Sequence, residues 1–209
     1  MKRKLVCFCE HEFESEVPEE VDLSAQPEAR KAILSGDFQA IRCPSCGKEL
    51  KPEFPVTVRE QGQTLFLVPE LDRVAFYRGK LSYPVGEVDR VAIGYDELVE
   101  KLRIREAGLD DRVVEVLKYY LLQKALEHYE GESEVRLLFH SRDDSGLVFH
   151  ALGLKDGEVG ILRVSRQMAE KAAAQLQQKL KEDPFSTILK GPYISINKLA
   201  TETPEESSE

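Results

Sequence analysis

Cys7-Phe8-Cys9 and Cys43-Pro44-Ser45-Cys46-Gly47 between them hold all four cysteines of this chain. Two close thiol pairs, separated by a segment long enough to loop back, are how a protein brings four thiolates to the corners of one tetrahedral zinc ion. The pattern predicts a structural zinc site with Cys7, Cys9, Cys43 and Cys46 as ligands. A thiol-disulfide oxidoreductase using Cys43 and Cys46 is the competing reading. Such enzymes place Cys-x-x-Cys at the start of a helix, where the helix N-terminus lowers a thiol pKa. Here Gly47 follows at once and Pro52 soon after, which leaves no room for that helix, and the first pair would go unexplained.

The rest of the chain sets the context for the knuckles. Its 209 residues are 42% hydrophobic, enough to build real cores in one larger or two small domains. With 29 Lys+Arg against 38 Asp+Glu the net charge is -9, so the summed field repels phosphate backbones and anionic headgroups. Nucleic acid and membrane are therefore poor partners, and a nucleic-acid-binding zinc ribbon is the third reading. The opening Met1-Lys2-Arg3-Lys4-Leu5-Val6 has an apolar run too short for a signal peptide, and no stretch approaches a spanning helix. The expected location is cytoplasmic, where thiols stay reduced and paired cysteines favour metal over disulfides.

The periodicity predicts an α+β protein. Residues 4–7 and 12–17 read as strands flanking the first knuckle, with Phe13 and Val17 able to face one core. A helix over 24–36 follows, with Pro27 at an early position and Gly36 as its stop. Strands at 38–42, 50–60 and 63–68 complete a zinc-ribbon-like small β module with one inserted helix. Residues 71–77 form a short amphipathic piece, 80–94 the candidate join, and 86–93 a strand. Beyond them the pattern gives helices over 95–107 and 111–129, the second capped by Asp110 and apolar over so wide an arc that most of its sides must be covered. Strands at 135–140, 147–152 and 159–164 make an antiparallel meander around the turn Asp143-Asp144-Ser145-Gly146. That turn could hold a hard cation, but Asp and Gly are what a tight turn needs for backbone reasons alone. A helix from Ser165 to about residue 182, blocked by Pro184, and an extended segment over 193–199 close the second domain of helices packed on an antiparallel sheet. The expected division is 1–85, 86–200 and a disordered acidic tail over 201–209.

The motif Cys43-Pro44-Ser45-Cys46-Gly47, the earlier pair followed by His11-Glu12-Phe13-Glu14, and the run Leu65-Phe66-Leu67-Val68-Pro69 together resemble the CpXC-domain family of bacteria and archaea. The resemblance covers residues 3 to about 70, and the stretches Asp96-Glu97-Leu98, Gly108 to Val113 and Pro192 to Asn197 are similar to regions that accompany the domain. It implies four metal-binding cysteines and no particular activity. The resemblance also implies Cys-Pro-x-Cys-Gly at both knuckles. Here the first is one residue tighter, with Glu10 where glycine is usual, and a left-handed backbone is costly for Glu10. If Cys7 failed to reach the metal, His11 could supply a nitrogen in its place.

No catalytic signature accompanies the knuckles. The chain has no Gly-rich phosphate loop, no Gly-x-Ser-x-Gly elbow and no His-Glu-x-x-His. An enzyme is the minority reading, and the expectation is a non-catalytic module that binds a protein partner the sequence does not identify. His140 and His150 fall on strands of one hairpin. In register they could face each other as a metal or proton site, against the blander reading of two half-buried strand histidines.

Overall fold

In a computed structural model, which describes residues 1–81, 88–127, 129, 131 and 134–201, the chain divides into two compact units, Met1–Val99 and Glu100–Glu209. The expected boundary at 85/86 falls within 82–87, and most of the expected acidic tail within 202–209, both outside the described residues. Helices mix with antiparallel and mixed sheets throughout, so the fold class is α+β.

In the first unit, β1 (Lys2–Val6) and β2 (Glu12–Glu16) form an antiparallel hairpin with Leu5 opposite Phe13. Half-buried and exposed residues alternate along both strands, and none is fully buried. Next come β3 (Glu20–Asp22) and α1 (Pro27–Ser35). Helix α1 has Pro at its start and ends on Gly36 at φ 76°, whose left-handed turn lets its N–H reach back to the helix carbonyls. The expected strand over 38–42 shortens to β4 (Ile41–Arg42), which pairs with β5 (Glu49–Leu50) in a second, minimal hairpin. The expected strand over 50–60 is likewise interrupted, because Pro52 and Pro55 fall between β5 and β6 (Val56–Glu60) and a sheet ladder has no use for residues without an N–H.

Strands β6 and β7 (Gln63–Val68) form an antiparallel hairpin at the heart of a four-stranded sheet ordered β3-β6-β7-β8. A 3-10 turn at Glu70–Asp72 and α2 (Arg73–Tyr77) precede β8 (Arg90–Ile93), which runs parallel to β7 with Val68 opposite Ile93. Val56, Val58, Leu65, Leu67, Val91 and Ile93 have no exposure to solvent, and this sheet holds the apolar core of the unit. At about 1.5–3 kcal/mol per buried aliphatic side chain, such a sheet is self-sufficient in a way the knuckle hairpins are not.

Helix α3 (Gly94–Glu106) is cut by the division between units, and α4 (Asp111–Leu126) lies in the second. Asp110 caps α4 as expected, its Oδ1 accepting the Arg112 N–H at 2.9 Å. The meander β9 (Arg136–Asp143), β10 (Gly146–Leu152), β11 (Gly160–Ser165) pairs in the order β11-β10-β9. Phe139 and Phe149, directly opposite in register, meet edge to face at 5.7 Å in a core that also takes in Val114, Val116, Leu147, Val164 and Ile188. Ser165 caps α5 (Arg166–Ala174), accepting the Met168 N–H. The long helix expected to residue 182 breaks at Gln175, however, and only the short α6 (Leu176–Lys179) follows. After α7 (Phe185–Ile188), the segment expected to be extended coils into a 3-10 helix, Ile196–Thr201.

The wide arc of α4 has a cause that its apolar residues do not supply. Glu115 and Lys118 are 1% and 2% exposed, and they belong to a buried cluster with Glu100, Lys101 and Asp111. Lys118 Nζ donates to Glu100 Oε2 at 2.9 Å and Glu115 Oε1 at 3.0 Å, while Lys101 Nζ donates to Asp111 Oδ2 at 2.9 Å. The remaining oxygens and protons serve the backbone: Phe139 N–H donates to Glu100, Ile196 N–H to Glu115, and Lys101 to the Ile194 carbonyl. Burial alone lowers the pKa of a lysine, but the carboxylates of Glu100 and Glu115 outweigh it and hold Lys118 well above its ordinary range. Burial pushes Glu100 up against the pull of Lys118. Each Glu100 oxygen accepts from a donor, Oε2 from Lys118 and Oε1 from the Phe139 N–H, as a carboxylate's should, so the pair is held as lysine cation and carboxylate. The cover is not complete: Tyr120 and Leu126, on the apolar arc of α4, are 48% and 42% exposed.

Candidate metal centre

Each knuckle is the turn of a two-stranded hairpin, so short antiparallel pairing aims its sulfurs. Cys7 leaves β1 and Cys43 leaves β4 directly. In the first knuckle the Cys7 N–H donates to the His11 carbonyl at 3.0 Å and the Glu10 N–H to the Cys7 carbonyl at 2.8 Å. In the second, Cys43 N–H donates to the Lys48 carbonyl and Gly47 N–H to the Cys43 carbonyl, both at 2.9 Å. The two networks differ by one residue, four positions from Cys7 to His11 against five from Cys43 to Lys48. Both turns close on a left-handed residue, Glu10 at φ 65° and Gly47 at φ 72°. Glu10 thus adopts the conformation its side chain disfavours, at a cost of about 1–2 kcal/mol, and the tighter turn still delivers its cysteines.

The four Sγ atoms lie within 4.8 Å of one another. Cys7 Sγ is 3.5 Å from Cys46 Sγ, and Cys9 Sγ is 3.8 Å from Cys43 Sγ. A tetrahedron with metal–sulfur bonds of about 2.3 Å has edges of about 3.8 Å. The cluster therefore has the dimensions of a tetrahedral thiolate site and is compatible with a metal ion. His11 stands apart from it, exposed, with its ring stacked on Phe13 at 6.0 Å. Cys7 and Cys43 are 3% and 2% exposed beside Leu50 and Phe13, whereas Cys9 and Cys46 are exposed.

The two buried thiols of this cluster, Cys43 and Cys7, are strongly unlike one another. At Cys43 burial raises the pKa, but the backbone amides of Cys46 and Ser45 and the neighbouring thiols of Cys7 and Cys46 overcome it and bring the group down to about 6. At Cys7 a backbone amide at Cys9 pulls down, yet burial and the crowding of the other three sulfurs push the group up to about 12. Thiolates this close repel one another, which disfavours ionising all four without a cation. A divalent cation removes that constraint and lets all four ionise.

The meander brings His140 and His150 together on one face of its sheet. Leu138 pairs with His150, so alternation puts His140, two residues along, on the face of His150; His140 is also the extra residue of a β-bulge between the pairs Ser141–Val148 and Phe139–Phe149. The rings stack at 3.9 Å with 15° between their planes, and the Arg103 guanidinium lies 3.3 Å from His140 Nδ1. Stacked rings aim their nitrogens side by side instead of at one point, which is poor geometry for chelation. Asp143, in the neighbouring turn, spends its Oδ1 on the N–H groups of Ser145 and Gly146, as the turn reading expects.

Paired knuckles carrying four sulfurs at tetrahedral spacing, on two hairpins in a unit with a mixed sheet, define a cysteine-knuckle protein whose cluster is compatible with a metal ion. The chain belongs to the CpXC family: the family described as CpXC protein matches residues 5–118. That match runs past the knuckles and the four-stranded sheet to Lys118, and so takes in all five residues of the buried charged cluster. A protein of Treponema pallidum (strain Nichols), described as an uncharacterized protein, is 25% identical over 219 residues, covering 95% of this chain and 99% of the relative. No solved structure matches the chain. Among the described residues no helix is long and apolar enough to cross a membrane.

Proposed function

We propose that this chain binds one structural zinc ion through Cys7, Cys9, Cys43 and Cys46 and acts as a non-catalytic protein-interaction module. The observation that carries the reading is the spacing of the four sulfurs, all within 4.8 Å on two hairpins that have little else to hold them. Four thiolates are a soft, charge-rich donor set that suits zinc, which prefers tetrahedral sulfur. When bound, the ion supplies cross-linking and charge neutralisation. Structural sites of this kind contribute about 10–16 kcal/mol, as much as the whole stability of many domains.

Support for the partner comes from the knuckle tip. Phe8 is 84% exposed and Val6 65% exposed, with Lys48 Nζ 5.9 Å from the centre of the Phe8 ring. An aromatic ring displayed on a rigid turn is the kind of anchor that dominates protein interfaces. The oxidoreductase reading fits less well, since the thiol with the lowered pKa is Cys43, which is buried, and attack on a disulfide requires an accessible thiolate.

Two measurements test the reading. Metal-loaded protein should neither reduce insulin disulfides nor react quickly with iodoacetamide until a chelator is added; fast alkylation of the loaded protein would return the assignment to a redox dithiol. Affinity purification with mass spectrometry should recover a partner that is lost on chelation and on Phe8→Asp, and recovery indifferent to both would place the interaction elsewhere.

A further inference from the structure

The second unit carries a pair of adjoining pockets that the metal reading leaves unused. One, of about 210 Å3, is walled by Leu109, Val113, Val114, Leu147 and Ala169. The other, of about 420 Å3, is lined by Arg103, His140, Arg142 and Arg166 among others. Arg142 and Arg166 border both, so an apolar chamber and an arginine-lined one meet at two guanidiniums.

These arginines are unusual in a chain of net charge -9. Among the described residues none of Arg103, Arg142 and Arg166 makes an ion pair with a carboxylate: Arg103 lies against His140 and Arg142 donates to the Ala107 carbonyl at 3.2 Å. Acidic groups are close by but are in part already neutralised. Asp143 is bound by Arg163 at 2.7 Å and Asp110 by Arg112 at 2.6 Å. Glu106, Asp144 and Glu170 also line the walls, which weighs against a dianion and favours a singly charged ligand.

We propose that this double pocket binds a small organic acid, with its carboxylate held by Arg142 and Arg166 and its apolar body in the chamber behind them. Guanidinium recognises a carboxylate through paired charge-assisted hydrogen bonds, and Arg103 adds positive field from the far side. The apolar chamber exceeds the cavity of about 150 Å3 that takes up benzene, so an aryl ring or a short alkyl chain fits it. Affinity should come from the two halves together, since the head group is partly solvated and the chamber is small.

The test is calorimetric titration of the full-length protein with sodium octanoate, octan-1-ol and sodium acetate. Octanoate should saturate one site per chain, and octanol and acetate should each bind at least about tenfold more weakly. Arg142→Gln with Arg166→Gln should weaken octanoate about tenfold and leave octanol unchanged. Ala169→Leu, which fills the chamber, should weaken octanoate while sparing acetate. Circular dichroism checks that each variant is folded, and should the double variant fail, the wild-type comparison and Ala169→Leu still decide. Absence of saturable octanoate binding, octanol binding as tightly as octanoate, or octanoate affinity unmoved by the folded variants would overturn the proposal.

Discussion

The knuckle hairpins and the second unit solve the same problem with different physics. Around the knuckles the buried apolar cluster amounts to Cys7, Cys43 and Leu50 with Phe13 against them, and β1 and β2 bury no side chain fully. The second unit surrounds its meander with a cluster that runs from Ile104 to Ile196 and ties it together with buried Lys-carboxylate bonds. A hairpin with so little apolar surface cannot offset the entropy of ordering it, so its order has to come from the sulfurs and whatever they bind. In the second unit order comes from burial, and the charged cluster adds directional constraints on Phe139, Ile194 and Ile196.

The largest expected effect breaks that comparison in half. Cys43→Ser with Cys46→Ser should expose the knuckle hairpins, residues 1–16 and 41–50, to limited proteolysis while a segment from residue 94 onward stays resistant, and a chain from residue 94 to 201 should fold alone with a cooperative thermal transition. Loss of protection everywhere, or a second-unit fragment without cooperative unfolding, would show that the two regions share one stability. Next in size, Lys118→Met should cost about 3–5 kcal/mol in chemical denaturation of the second unit, since it strands Glu100 and Glu115 without their shared cation. A cost under about 1 kcal/mol would mean water reaches the cluster.

Much of this difference was legible in residues and some of it was not. Paired cysteines, the caps at Asp110 and Ser165, the Gly36 stop and the Asp143 turn all act through local chemistry, and the sequence displays local chemistry directly. The charged cluster does not show itself, because Glu115 and Lys118 on a helix read as a solvated face unless the neighbours are known. Its trace was the breadth of the apolar arc on α4. The bulge at His140 and the break at Gln175 depend on tertiary fit, and neither position carries a glycine or proline to mark it. The arginine-lined pocket gathers residues from α3, β9 and α5, a convergence no spacing rule contains.

Two smaller effects sharpen the contrast. Glu10→Gly should stabilise the knuckle by about 1 kcal/mol, read as slower metal loss to a chelator, because glycine takes the left-handed turn at no steric cost. Unchanged or faster loss would assign Glu10 a stabilising contact. In the second unit, burial, with the charges of Lys101 and Lys190 nearby, brings Lys198 down to about 8. Between pH 8 and the ordinary lysine value of about 10.4 the unfolded chain then binds the extra proton, so this group makes the fold more stable as pH rises through that window. Lys118, held above its ordinary range, stays charged there and gives up its contribution only at higher pH. Thermal melts across pH 8–10 should show the rise in the wild type and lose it in Lys198→Met; identical profiles would remove Lys198 as its source.

The account stands on the four sulfurs acting as one metal site, and native mass spectrometry of full-length protein purified under reducing conditions tests that most directly. One zinc ion per chain, lost in Cys7→Ser as readily as in Cys43→Ser, is the predicted result. A metal-free mass under the same conditions, or zinc retained at full occupancy when Cys7 is replaced, would contradict it.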